Sequence, residues 1–459
     1  KGVKPFSVQA LREDAVTNQL IYSAVGIAYK EKEEEILPRI VPDNLFELEY
    51  QIVNAVAKIT REKTPVVALV APRTPVKVDP RMEMFYRQMG QAPPSFDDPF
   101  VALEQVLRQE KFEVRRVKFV KDDPIPAEAT AIAVINPRDL NERQRWELGR
   151  ALASGKSLIL AVQNYQWDYR VNRNRPTATK TPETPGVNDL LKQYGLEVSE
   201  DLLMDVNHAP LTMSDQSNPL SAMMGGFTVN YPIHILVNQE TMNRDVSITS
   251  RLSSLFYLWG SPLAVDAKKL KELNLGYVEL FSSSRDSWTR PAATPINDDA
   301  FRRPDSGTRA WPLACLVKGQ FPDVTKGQAR PEWPQEEPMP GQPPPPPPPA
   351  EEAAPGPVTL APGQLILTGC SQMFRREFLA QGNLDLFLNM AEAITAGDDL
   401  VNVRSKKPIS RAIHKPSDAR RSWWKFVNLG LVNLLLAGIG MAGALLRKRS
   451  RENYALAQK

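Results

Sequence analysis

The sequence predicts an α/β fold: mostly parallel sheets with helices on both faces, plus one C-terminal transmembrane helix. Three observations carry this. The apolar runs at 66–71 (VVALVA), 131–135 (AIAVI) and 157–162 (SLILAV) have the length and continuity of strands buried on both faces. Helical patterns alternate with them, most clearly at 100–109 and 141–154, which is the rhythm of parallel strands joined by crossover helices. Finally, residues 426–446 (FVNLGLVNLLLAGIGMAGALL) hold 21 positions without a charge. At about 1.5 Å per residue that length matches a hydrocarbon core of roughly 30 Å.

Along the chain, LIYSAVGIAY at 20–29 and the run 36–41 flank a charged turn and read as a hairpin. Asn44 caps an expected helix over 45–61, with Leu45, Leu48, Ile52, Val56 and Ile59 at helical spacing. A proline-rich detour fills 72–99, and 112–120 is a further strand. Residues 165–185 read as polar and irregular, and 187–194 as a short helix that Gly195 stops. From 202 to 265, strand-like runs (FTVNY, IHILV, VSITS, LFYLWG) alternate with turns. A helix at 267–273, strands at 277–282, 314–317 and 365–368, and a helix at 384–396 complete the body.

Composition divides the chain into an N-terminal hairpin and helix (1–63), an α/β domain (64–200) and a second α/β region (201–403). The second region carries a proline-rich insertion (322–357), and a basic linker (404–425), the apolar span (426–446) and a basic tail (447–459) follow. The segment 321–358, which contains the insertion and seven consecutive prolines, Pro343 to Pro349, reads as a polyproline spacer and is expected to be an exposed loop. Lys1 opens within a segment, so an upstream stretch is expected. Trp423 and Trp424 would sit at the headgroups, and Arg447-Lys448-Arg449 closes the span. Basic residues balance on its two sides, so charge alone does not orient it. Gly440 and Ala444, four apart, have the spacing that lets membrane helices approach closely.

A net charge of +4 with no basic block among aromatics argues against nucleic acid as a partner. Gly155-Lys156-Ser157 resembles part of a phosphate loop, but Arg150 stands where the first glycine belongs. The triplet also leaves a helix and enters a strand, the reverse of what phosphate binding needs. Gly369-Cys370-Ser371 follows an apolar strand, as an exposed nucleophile would. A thiol nucleophile needs a base, and the three histidines are His208, His234 and His414. Cys315 and Cys370 lie on or beside candidate strands, which leaves their pairing open. No cysteine–histidine cluster has zinc spacing, and no cofactor motif is present. Asn136, Arg138, Asn164, Tyr165 and Ser371 follow strands, where parallel sheets bind ligands, and form the candidate crevice.

Several stretches in order resemble one family: the auxiliary subunits of gliding-motility-type ABC transporters. They are Leu48-Glu49-Tyr50, INPRDLNERQRWELGRALASGKSLIL from Ile135, VNDLLKQYGLEVSEDLLMD at 187–205, FSSSRDSW at 281–288 and LACLVKGQF at 313–321. Thr368, Gly382-Asn383, Asn389 and Arg404, with the terminal span, extend the likeness, which runs from about residue 20 to 459. Cys370 stands where the family usually has an acidic residue, and Gly155-Lys156 where it has a glycine pair. The proline segment looks inserted, and the family carries an upstream membrane helix. The pattern of strands and helices is of the flavodoxin- or amidotransferase-like kind, and the resemblance implies a large α/β body in the periplasm, held at the inner membrane beside ABC permease and ATPase subunits and the lipid bilayer. It implies a non-catalytic role. The alternatives are a membrane-tethered amidotransferase-like or thiol hydrolase using Cys370, and a structural envelope scaffold.

Overall fold

The computed structural model describes the chain except residues 1–2, 4, 13–14, 42–44, 61–63, 77–82, 85–86, 91–95, 173–174, 214–226, 335–355, 380–381, 397–422, 425–426, 428–431 and 458–459. It has two compact units, Lys1–Lys406 and Lys407–Lys459.

The larger unit is built on a seven-stranded sheet. Its strands are β1 (Val66–Val70), β2 (Glu113–Arg116), β3 (Ala131–Ile135) and β4 (Ser157–Ala161). After a hairpin, β5 (Tyr165–Asn172) with β6 (Arg175–Pro182), come β7 (Gly276–Ser282), β8 (Pro312–Gln320) and β9 (Pro362–Thr368). The order is β7-β8-β9-β4-β3-β1-β2. Pairings from β9 through β2 are parallel, while β7–β8 and β8–β9 are antiparallel.

Strand periodicity sorts the core into two faces. Leu69, Ala133, Ile135, Ile159 and Ile366 meet Leu103 and Leu107 of α2 (Val101–Gln109) and Leu386, Phe387 and Met390 of α6 (Asn383–Ala396). Their neighbours Ala68, Ile132, Val134, Leu158, Leu160 and Leu367 meet Leu148 and Leu152 of α3 (Glu142–Ala153). That face also receives Leu190 of α4 (Asn188–Gln193) and Leu270 of α5 (Ala267–Glu272). α1 (Leu45–Thr60) packs on the hairpin Ala24–Ile27 with Glu35–Pro38. α3 begins in a capping box: the Asn141 side chain accepts from the Gln144 amide, and the Gln144 side chain accepts from the Asn141 amide. Gly155, at φ 86°, ends it.

Three expectations are corrected. The architecture is not a set of mostly parallel sheets of the flavodoxin- or amidotransferase-like kind. It is one mixed sheet plus eight two-stranded antiparallel sheets among the described residues. Part of the cause lies in the connections: Phe6–Arg12 with Ala15–Ile21, Ala24–Ile27 with Glu35–Pro38 and β5 with β6 are joined by short turns and pair back on themselves, while Leu196–Val198 with Leu263–Val265 and Leu202–Met204 with Trp288–Arg290 pair antiparallel over long stretches of chain. Residues 165–182 are accordingly not irregular but the hairpin β5–β6, with Tyr165, Trp167, Tyr169 and Ala178 buried in a third, aromatic-rich core.

The second correction concerns the membrane span. No helix among the described residues is long and apolar enough to cross a membrane. In the smaller unit α7 runs Val432–Ala457, so its apolar part ends after 15 residues, at Leu446, before Arg447, Lys448 and Arg449. At about 1.5 Å per residue that part falls short of a bilayer core. Most of the stretch 425–431 lies outside the described residues. Gly440 opens onto free space and Ala444 is exposed.

The third correction concerns the insertion, whose ends are packed. Phe321 is fully buried edge-on to Tyr194, and Val324 and Thr325 lie against Gly149 of α3. Trp333 meets Phe119 edge-on at 6.1 Å and lies under the Arg143 guanidinium, and Arg330 reaches Glu147 at 3.4 Å. On the return, Arg150 donates to the Gly356 carbonyl and the Ala361 amide to Ala153. Pro343 to Pro349 lie outside the described residues.

Candidate functional site

The carboxyl ends of β3, β4 and β9 point at one place, where an open sheet would hold a ligand. Here the chain fills it with its own polar groups. Asn136 follows β3 at φ 53°, a left-handed conformation that asparagine tolerates, and its amide donates to Ala161. Its side-chain oxygen accepts from the Ser371 hydroxyl at 3.1 Å. Gln163, after β4, accepts from the Ser371 amide and donates to the carbonyls of Trp259 (2.7 Å) and Tyr165 (3.1 Å). Asn164 donates to Ser199 O and to Ser261 Oγ. Gln163 and Ser371 are fully buried, and Asn136 and Asn164 nearly so.

What closes the crevice is the segment after strand Ser254–Leu258. Ser261 N donates to Gly369 O at 2.8 Å, and the Tyr257 hydroxyl donates to Ser261 O at 2.6 Å. Trp259 sits at φ 60°, a conformation that costs a bulky residue about 1–2 kcal/mol. Three bonds hold it there: its amide to Ile233 O, its carbonyl from Gln163, and its indole N–H to the Tyr169 hydroxyl at 2.7 Å. The indole can only donate, so Tyr169 oxygen accepts from it and passes its own proton toward His234 Nε2 at 2.6 Å. Burial, with His208 adding to it, pushes the His234 pKa down to about 3, so the ring stays neutral. This triad was not legible in the sequence, since its members lie 65 and 90 residues from Tyr169.

Sequence-predicted site residues thus separate into three groups. Asn136 and Ser371 meet. Asn164 and Tyr165 bond instead to the loop at 199–200, with the Tyr165 hydroxyl on Glu200 O and its pKa pushed up to about 12 by burial. Arg138 turns away, half-exposed, to an ion pair with Glu183 at 2.6 Å. Gln163, which follows β4 together with Asn164 and Tyr165, joins Ser371 to the closing segment, while Ser261 and Glu183 carried no signal in the sequence. A small cavity of about 10 Å³ lies nearby, lined by Tyr165, Trp167, Asp201, Ile233, Trp259 and Ser261 among others.

Cys370 lacks what a thiol nucleophile requires. It is fully buried, its thiol donates to Leu258 O at 3.1 Å, and burial pushes its pKa up to about 12. Cys315 is likewise buried and raised to about 12. Both are free thiols, in cores on opposite faces of the sheet. Among the described residues no group of three or more His, Cys, Asp or Glu could hold a metal. Lys156 does not face a phosphate cradle: its ammonium donates to the Ala127 carbonyl at 2.8 Å, while Ser157 begins β4.

Fold and site together define a mixed-sheet body whose strand-end crevice is sealed from within. The chain belongs to the family described as ABC-type uncharacterized transport system, whose model matches residues 66–390. It is an auxiliary component of such a system. No curated protein matches the chain. A solved structure titled mmIFT52 N-terminal domain is similar at a TM-score of 0.36 and 15% identity, over 73% of this chain and 99% of that one.

Proposed function

We propose that this chain is a non-catalytic subunit that joins an ABC permease and its ATPase at the cytoplasmic membrane, with its body on the periplasmic side. There the body would engage substrate or an envelope partner by its surface. The observation that carries this reading is the family match across 66–390, joined to a strand-end crevice occupied by Asn136, Gln163, Asn164 and Ser371. A crevice filled in this way has no room for a substrate without rearrangement. α7 supports a contact role too: Leu436, Ile439, Met441, Leu445 and Leu446 are each at least 59% exposed, more apolar surface than one helix ordinarily leaves to water. The kinship with gliding-motility-type transporters is part of the same proposal.

ATP chemistry then belongs to another chain. Phosphate binding needs backbone amides at a helix N-terminus, a lysine on the phosphates and a hydroxyl on magnesium. Here the Gly-Lys-Ser triplet runs into β4, and Lys156 is committed to a carbonyl. Calorimetry of the purified chain with magnesium and ATP should give no tight binding. Lys156→Ala should leave the ATPase turnover of the assembled complex within about twofold of the parent, as surface changes do. Tight binding, or abolished turnover in an intact complex, contradicts the proposal.

A further inference from the structure

We propose that the cavity beside the closing segment is a binding site for one neutral hydroxyl oxygen, held among the Trp167 indole, the Asp201 carboxylate and the Gly260 peptide, and that water takes it in the isolated chain. The inference is independent of the transport reading. Three pieces of chain meet at the cavity. β5 supplies Tyr165 and Trp167, the stretch after Glu200 supplies Asp201, and the closing segment supplies Trp259, Gly260 and Ser261. Its volume of about 10 Å³ is close to the least that holds a single water.

Most polar groups around it are already bonded. The Tyr165 hydroxyl donates to Glu200 O, and the Trp259 indole donates to the Tyr169 hydroxyl. The Trp259 amide donates to Ile233 O, and its carbonyl accepts from Gln163. Ser261 donates through its amide to Gly369 O, while its hydroxyl accepts from Asn164 and its carbonyl from Tyr257. Three groups remain. Trp167 is 5% exposed, and its buried Nε1 has no hydrogen-bond partner. Gly260 is buried, and neither its N–H nor its carbonyl bonds to a described residue. Asp201 is half-buried; its amide donates to Ser199 Oγ at 3.1 Å, and its carboxylate has no hydrogen bond or ion pair among the described residues. Buried peptide and indole N–H groups are rarely left unpaired, so orphans that line one water-sized space point to a partner they share.

Charge decides what that partner is. A cation would meet the Lys180 ammonium, which already stands 4.9 Å over the Tyr165 ring and donates to Ala292 O. An anion would meet Glu200 and Asp201, whose charges add to the burial that raises the Tyr165 pKa. An apolar group would leave the indole N–H unbonded. A hydroxyl oxygen accepts from the indole and donates to the carboxylate, and keeps a further site for the Gly260 peptide. The space admits that oxygen and little else, which selects water over an alcohol or a sugar. The bound oxygen then links β5 to the closing segment, beside the direct bond from Trp259 to Tyr169.

A high-resolution crystal structure of the full chain, grown without alcohols or polyols, tests this. One oxygen peak should lie about 2.7–3.2 Å from Trp167 Nε1, and as close to the Asp201 carboxylate or a Gly260 backbone atom. Trp167→Phe should lose that peak in an otherwise superimposable structure. In solution, the Trp167 indole proton of the parent should show magnetisation transfer to water of the sign that a long-held molecule gives. Crystals grown with glycerol should keep the same single oxygen. An empty cavity, a peak unmoved in Trp167→Phe, or an indole proton with no transfer to water would overturn the site. Density that continues from the oxygen into a carbon chain would overturn its assignment to water.

Discussion

Asn383→Ala should cost about 3 kcal/mol in chemical unfolding, with the denaturant dependence unchanged. Asn383 opens α6 and is completely buried. Its side-chain oxygen accepts from Phe256 N at 3.0 Å, and its amide nitrogen lies 2.9–3.1 Å from the carbonyls of Phe256, Met373 and Phe378. It thereby caps one free edge of strand Ser254–Leu258 and ties it to the segment after β9. Alanine would leave those backbone groups unpaired in the core, and each buried orphan costs about 1–3 kcal/mol. Asn383→Asp keeps the acceptor for Phe256 N but not the donor, and should also be destabilising. A loss below about 1 kcal/mol for the alanine variant would mean that water replaces the side chain, against the burial of the site.

Gly369→Ala should have at least as large an effect. A Cβ at position 369 would stand 2.1 Å from the Ser261 carbonyl oxygen and 2.7 Å from the Tyr257 hydroxyl. The first is backbone and the second is held by Ser261, so neither yields cheaply. Relief requires β9 to part from the closing segment, breaking the Ser261–Gly369 bond. We expect a loss above about 3 kcal/mol, the range of severe overpacking. Gly356→Ala, with nothing within 4 Å of its Cβ, is the matched control and should stay within about 0.5 kcal/mol. Gly260→Ala would press on the same Tyr257 ring, so the double variant should cost less than the sum of the two singles. Equal stability of Gly369→Ala and the control would show that the closing segment is loose, and with it the claim that the crevice is sealed.

What could be read from the sequence was whatever local pattern determines. β1, β3 and β4 were legible because uninterrupted apolar runs have no other stable place than a two-sided core. The start of α3 was legible from Asn141, and its end from Gly155. The β5–β6 hairpin was not, although Tyr165, Trp167 and Tyr169 alternate correctly. Threonines, arginines and prolines around them mask the pattern, and the face they bury belongs to a distant core. Strand direction was beyond reach as well: β8 is a good strand in isolation, and only its neighbours make it antiparallel.

The site divides along the same line. That polar residues follow β3, β4 and β9 could be read directly. That Ser371 meets Asn136, 235 positions earlier, could not, nor that Gln163 would join the Ser371 amide to the Trp259 carbonyl. An asparagine after a strand looks the same whether it faces a ligand or the chain's own carbonyls. The apolar run 426–446 is the opposite case, a clear local signal that hydropathy alone extended. Among the described residues the helix begins at Val432 and turns charged after Leu446.

The central claim is that this chain works as an auxiliary part of an ABC transport complex. The most direct test is affinity purification of the tagged chain from its native cells, lysed in mild detergent, with the co-purifying chains identified by mass spectrometry and their ratio measured. The account predicts a permease and a nucleotide-binding subunit in fixed proportion, with ATPase activity that follows the complex and is missing from the purified chain. Recovery of the chain with no such subunits, or ATPase activity in the chain alone, would contradict it.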